Sequence, residues 1–360
     1  MAYRLLIALW STVFLLAACS PVTVQPAPSG NTAVVPSATE SPTSIAATIT
    51  PTAEPANSLQ IIRAENWSRL QLLQTFPAEM PLRNTAVSIS QDGETLAVGS
   101  NGGAKIFFFD IPSGQILRTV TLGIPNPGDY FNIVGIEYLP DDTLIVNSTG
   151  PYQIYHIDDA GNVLAMWDGL SFALSADRKT LVHGGAEGVT LVDIAMDTPI
   201  ASLPIQDALD HSLSPDGSTV AVNVVGVEYA NVVIWDVASN TQLAEFKETG
   251  NPRYSPDNRF LAVTSYEADT PPLRIFTPQG DMELPALEVG DENLSGSAPL
   301  WSPDGSILTT VGPLIAWDTT NWQPLHAPAL EGSIQAFSPD GRILITRALN
   351  GGLMLWGVLP

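Results

Sequence analysis

Cysteine is almost missing from this 360-residue chain. The one present, Cys19, leaves no second thiol for a disulfide within the chain. Positive charge is scarce too: Lys and Arg total 14 against 37 Asp and Glu, a formal net charge of −23. A nucleic-acid binder neutralises phosphates with a cationic surface, and a polybasic patch is what holds anionic lipid headgroups. This composition excludes both. Charged residues make up only 14% of the chain, too few for a long coiled coil or helical bundle. Long hydrophobic runs are also absent at the start of the chain, where the apolar stretch 5–16 is about a dozen residues, short of a bilayer span.

What the chain has in quantity is turn-forming residues and apolar ones. Thirty prolines and 28 glycines accompany a 45% hydrophobic content, which leans towards an all-β fold with a substantial core. The acidity belongs to the body of the chain, because residues 1–56 hold only Arg4, Glu40 and Glu54 among charged groups.

The short apolar stretch follows Arg4 and ends at Leu16-Ala17-Ala18-Cys19. Its length suits a signal-peptide core. Small residues before a cysteine, after such a core, resemble the bacterial lipoprotein signal. The resemblance implies cleavage after residue 18, lipidation of Cys19 as the mature N-terminus, and an outer-facing, membrane-anchored place in the cell envelope; an ordinary signal peptide is the alternative. Each buried methylene of an acyl chain contributes about 0.8 kcal/mol, so two or three chains hold a protein at a membrane. The lipid is the only membrane contact expected. Residues 20–56 then contain 7 Pro, 5 Ser, 7 Thr and 7 Ala, a composition with too little large apolar surface to offset its ordering entropy. We read 19–56 as a disordered tether, extended by proline to roughly 100 Å at about 3.1 Å per residue.

From residue 57 onward the chain repeats. A turn signal recurs as Ser90-Gln91-Asp92-Gly93, Leu139-Pro140-Asp141-Asp142, Ser175-Ala176-Asp177-Arg178 and Ser214-Pro215-Asp216-Gly217. It continues as Ser255-Pro256-Asp257-Asn258, Ser302-Pro303-Asp304-Gly305 and Ser338-Pro339-Asp340-Gly341. The aspartates lie 49, 36, 39, 41, 47 and 36 residues apart, the period of a propeller or similar array. Proline presets φ at the second position and glycine supplies positive φ at the fourth, which makes a type I turn leading into a bulge. Where glycine is replaced, Asp142, Arg178 and Asn258 must take the left-handed conformation, Arg178 least easily. An apolar residue precedes each turn: Ile89, Tyr138, Leu174, Leu213, Tyr254, Trp301 and Phe337. Apolar strands such as Leu96-Ala97-Val98 and Val220-Ala221-Val222 follow. A third strand often ends in Trp-Asp, as in Ile234-Trp235-Asp236 and Ala316-Trp317-Asp318, and a weaker fourth completes the unit.

Ser-Pro-Asp-Gly turns followed by Val-Ile-Trp-Asp strands resemble the WD40-repeat propeller proteins. The resemblance implies an all-β, seven-bladed β-propeller over residues 57–360. The Gly-His pair that opens many repeats of that family is absent, so its Asp-His-Ser-Trp tetrad is not carried over. Trp235, Trp317 and Trp356 read as core packing. The last copy stops at Leu355-Trp356 without a fourth strand, and residues 68–76 read as a spare strand upstream of the first turn. That N-terminal strand is expected to close the seventh blade.

No catalytic or cofactor motif appears. The four histidines, His156, His183, His211 and His326, make no metal spacing, and neither a nucleophile elbow nor a phosphate or calcium loop is present. His156 and His183 read as satisfied packing residues. The long loops 123–132, 225–231, 265–272 and 287–298 are expected at one end of the ring. They carry Asp129, Tyr130, Phe131, Glu228, Tyr229, Tyr266, Glu267, Asp269, Glu288, Asp291 and Glu292. Carboxylates mixed with exposed aromatics suit a protein partner or a cationic or polar ligand; solvated acidic loops are the bland reading, and divalent-ion binding a third. The expected protein is a monomeric, non-catalytic interaction or scaffolding propeller with no cofactor and no metal. The alternatives are a propeller enzyme or small-ligand receptor of the lactonase or quinoprotein sort, and an assembly factor for envelope proteins.

Overall fold

A computed structural model describes residues 58–76, 86–124, 131–225, 230–247, 250–264, 273–284, 287, 297–311 and 314–360. The leading segment 1–18, Cys19 and the stretch 20–56 lie outside these residues.

Seven antiparallel sheets follow one another around a ring, with strands in sequence order within blades 1 to 6. Blade 1 runs from Val87–Ile89 to Ile116–Thr121, blade 2 from Asn132–Tyr138 to Val163–Asp168, and blade 3 from Phe172–Leu174 to Thr198–Leu203. Blade 4 runs from Ala208–Leu213 to Thr241–Lys247 and blade 5 from Pro252–Tyr254 to Met282–Leu284. Blade 6 has three strands, Pro299–Trp301, Ile307–Thr310 and Ala316–Asp318. Blade 7 takes Ser333–Phe337, Leu344–Arg347 and Leu353–Gly357 from the end of the chain. Its outer strand is Gln71–Phe76 from the beginning, paired antiparallel to Leu353–Gly357 with Phe76 opposite Leu353 and Gln71 opposite Gly357. The protein is thus a seven-bladed β-propeller closed by an N-terminal strand, as the unfinished last repeat implied.

Each pair of neighbouring blades shares an apolar cluster, because a strand sends alternate side chains to opposite faces of its sheet and each face meets a neighbour. Blades 1 and 2 are joined by Phe108, Ile133 and Tyr155, blades 3 and 4 by Leu191, Leu203 and Val220, and blades 5 and 6 by Ile275, Trp301 and Trp317. The other four interfaces have equivalent clusters. Trp317 and Trp356 are buried among these residues, whereas Trp235 is half-buried and its indole donates to Asn240 Oδ1 at 2.9 Å.

Two details differ from the sequence-based expectation. The spare strand begins at Gln71, because residues 64–69 form a 3-10 helix (Ala64–Arg69) instead. That turn tucks Trp67 and Leu70, each 2% exposed, between blades 6 and 7, and an extended chain could not place both there. Asn66 fixes the bend by accepting from the Arg63 N–H at 2.8 Å and donating to the Ile61 carbonyl at 2.9 Å. Blade 6 also lacks the expected fourth strand. Its place holds a stub in which the Asp318 N–H donates to Gln323 O and the Leu325 N–H to Ala316 O. Pro324, between them, has no N–H with which to extend a ladder.

All seven turns have the backbone that their sequences demand. The fourth position has positive φ at Gly93, Gly217, Gly305 and Gly341 and also at Asp142 (65°), Arg178 (57°) and Asn258 (58°). In six turns the serine hydroxyl donates to the aspartate two residues on, at 2.5–2.8 Å. The same oxygen accepts the N–H that opens the next strand at 2.9–3.0 Å. The second turn has Leu139 in the serine slot, and there Thr143 donates to Asp141 at 2.7 Å.

Candidate functional site

Asp129, Tyr130, Glu228, Tyr229, Tyr266, Glu267, Asp269, Glu288, Asp291 and Glu292 lie outside the described residues. Phe131 is described, and it is a correction: its ring is 1% exposed and belongs to the core between blades 1 and 2, so it presents no surface to a partner. The reason is local. Its carbonyl accepts from the Gly102 N–H of blade 1, which draws the residue into the gap, where its ring lies 5.9 Å from that of Tyr155.

What the described residues do bring together is a polar set on the first strands of successive blades, which pack on one another around the axis. Sequence spacing could not find it, because the partners are 40 to 50 residues apart. Ser88 of blade 1 accepts the Tyr138 N–H of blade 2 at 3.1 Å, and Ser212 of blade 4 accepts the Tyr254 N–H of blade 5 at 3.0 Å. Arg178, in the blade 3 turn, pairs with Glu137 of blade 2 at 3.3 Å and donates to the Tyr138 carbonyl. Although 42% of the Glu137 side chain is reachable by solvent, the surrounding protein desolvates it enough to raise its carboxyl above the usual range, against the pull of Arg178. Arg253 of blade 5 grips Asp210 of blade 4 with both terminal nitrogens, at 2.6 and 3.3 Å.

His211, beside Asp210, is 1% exposed, and its Nδ1 lies 2.8 Å from the Ser171 hydroxyl of blade 3. Its Nε2 is buried without a hydrogen-bond partner. Burial pushes its ring down to about 4. His183, half-buried, holds the Asp168 carbonyl with Nδ1 at 2.9 Å and lies against Trp167; His156 holds the Thr143 hydroxyl at 2.8 Å. Burial lowers both rings below the ordinary histidine value. These are packed, bonded histidines of the kind expected. Among the described residues, no group of three or more His, Cys, Asp or Glu is arranged to hold a metal ion.

The turn end of the ring carries one further feature. A cleft of about 190 Å³ lies where the N-terminal segment meets blades 6 and 7, lined by Ile61, Ile62, Arg63, Pro303, Asp304, Asp340 and Gly341. The Arg63–Asp304 ion pair, at 3.3 Å, spans it.

No family model and no curated protein sequence matches the chain. Solved structures do: 1314 of their chains match. One of them, from the crystal structure of the mitotic checkpoint complex, is 16% identical with a TM-score of 0.57 over 96% of this chain and all of that one. At that identity the likeness is one of fold, and it agrees with the seven-bladed architecture traced above.

Proposed function

We propose that this protein is a WD40-like interaction propeller, held at the outer face of a membrane by lipid on Cys19 and without catalysis of its own. The observation that carries the reading is the closed ring of inter-blade ties, which makes a stiff platform from which loops can recognise a partner. The polar residues of the described axis are engaged with one another across blades, as a scaffold requires. A matching fold in a chain of the mitotic checkpoint complex supports the reading, since that protein works within an assembly. The acidic and aromatic loops, with Glu228, Tyr229, Tyr266, Glu267, Asp291 and Glu292, suit a basic or polar partner.

Two experiments test this. Metabolic labelling with a fatty-acid analogue should mark the wild-type protein in a bacterial host and leave Cys19→Ser unmarked; equal labelling of both would remove the anchor. Crosslinking on intact cells should recover a discrete partner that is lost when Glu228, Glu267, Asp291 and Glu292 are changed to lysine together. A crosslinking pattern unaffected by those four changes would remove this face as the recognition surface.

A further inference from the structure

Three of the chain's four histidines lie at two consecutive inter-blade contacts, and one of them is placed so that charge cannot be accommodated. We propose that the contact between blades 3 and 4 is an acid-labile seam, at which protonation of His211 parts the ring before any other interface gives way.

The geometry supplies the reason. The ring meets Ser171 through Nδ1 at 2.8 Å, and Nε2 is buried with no hydrogen-bond partner, so only a neutral ring can leave that nitrogen free of a proton. Whichever nitrogen holds the first proton, the doubly protonated ring carries a cationic N–H at Nε2 where no acceptor lies, and an unpaired buried charge is among the costliest features a fold can carry.

The surroundings offer little relief. The blade 3 strands packed against it, Phe172–Leu174 and Thr180–Gly184, bring one titratable group, His183. Thr219–Val225 of its own blade brings none. Pro252–Tyr254 of blade 5 brings Arg253, which repels a cation, and Tyr254. On its own strand the carboxylate of Asp210 is already gripped by Arg253. The effects of Arg253 and His183 both favour the neutral ring, as burial does, and only Asp210 opposes them.

The neighbouring contact between blades 2 and 3 differs in sign. There His183 and His156 disfavour acid, but Glu137, whose carboxyl is raised, favours the protonated fold. Acid therefore acts on the two contacts unequally. The seam also lies three blades from the closure at blade 7 in either direction, so it can part while the clasp stays shut.

The sign of the linkage is fixed. The folded ring binds its proton less readily than the ordinary histidine value of the unfolded chain, so stability is whole above pH 6.5 and falls as pH drops towards about 4. One proton of difference changes the folding constant about tenfold per pH unit in that window.

The test is urea unfolding of the full chain at steps from pH 7.5 to 4.5, with hydrogen exchange read by strand. His211 should contribute about tenfold per unit to the wild-type loss, on top of the other titrating groups, and exchange should rise first in Phe172–Leu174 and Ala208–Leu213. His211→Gln, which keeps a partner for Ser171 and cannot titrate, should lose that component of the slope. An unchanged slope in His211→Gln, or first opening at another contact, overturns the proposal. If His211→Gln does not fold, histidine-labelled wild type followed by NMR decides: a His211 that titrates near 6.5 in the folded protein overturns it, and one that stays neutral down to the onset of opening supports it.

Discussion

A serine hydroxyl in these turns does two things at once: it donates to an aspartate and receives the first N–H of the next strand. Five of these serines are nearly fully buried, Ser90, Ser214, Ser255, Ser302 and Ser338. Ser338→Ala removes both bonds and leaves the Ile343 N–H unmatched, so we expect a loss of about 1–3 kcal/mol by chemical denaturation. The fourth position separates backbone from side chain. Asn258 holds φ at 58° and its amide donates to Asp216 of the preceding blade at 2.8 Å. Asn258→Gly keeps the backbone and loses the tie, while Asn258→Ala loses both; the alanine variant should be the less stable by about 1 kcal/mol in the same assay. Position four was legible in the sequence because φ is a local property. The use of Arg178 and Asn258 to reach the previous blade was not, because their partners are 40 and 42 residues away. For the same reason Phe131 read as a loop aromatic, when the carbonyl bond from Gly102 places it inside.

At the scale of the element, the N-terminal segment does more than lend a strand. Trp67 and Leu70 fill the contact between blades 6 and 7, where the short blade 6 leaves room. Phe76 packs edge-on against Phe109 of blade 1 at 5.2 Å, closing the contact between blades 7 and 1. Trp67→Ala should therefore cost about 3–5 kcal/mol, while Leu72→Ala, at a side chain 48% exposed on the outer edge, should stay within about 0.5 kcal/mol. Thermal unfolding of the two variants beside wild type checks both values. The strand itself was legible from the incomplete final repeat. The helical turn before it was not, because its cause is the cavity beside blade 6, a shape that exists only once the ring has formed.

The whole molecule is a polyanion held together by apolar contacts. Only six ion pairs occur among the described residues, against a net charge of −23. Self-repulsion should therefore outweigh attraction, and screening should help. Raising sodium chloride from about 10 mM to about 0.3 M, where the Debye length falls well below 10 Å, should raise Tm in calorimetry. Strong acid acts separately from the histidines. The turn aspartates Asp141, Asp177, Asp216, Asp257 and Asp304 are held below the ordinary carboxylate value by hydrogen bonds and nearby positive groups. Their contribution is complete above pH 3.8 and is lost as pH falls through their lowered values, so a second decline in stability should begin below pH 3.8. The number of blades was legible because a forty-residue period is a property of the entire chain. The polar set around the axis was not, since it comes into being only when strands of separate blades converge.

The bond from Gln60 to Leu359 joins residues 299 positions apart, and Gln71 faces Gly357 beside it. On a ribosome the first strand must therefore wait, unpaired and with an apolar face, until Leu353–Gly357 has been made. Sequential emergence can assemble blades 1 to 6 in order, but the circle is completed in a single late event. Newly made chains will be most prone to aggregate or be degraded in that interval, and a chaperone that shields residues 58–76 would raise yield more than one acting anywhere else along the polypeptide.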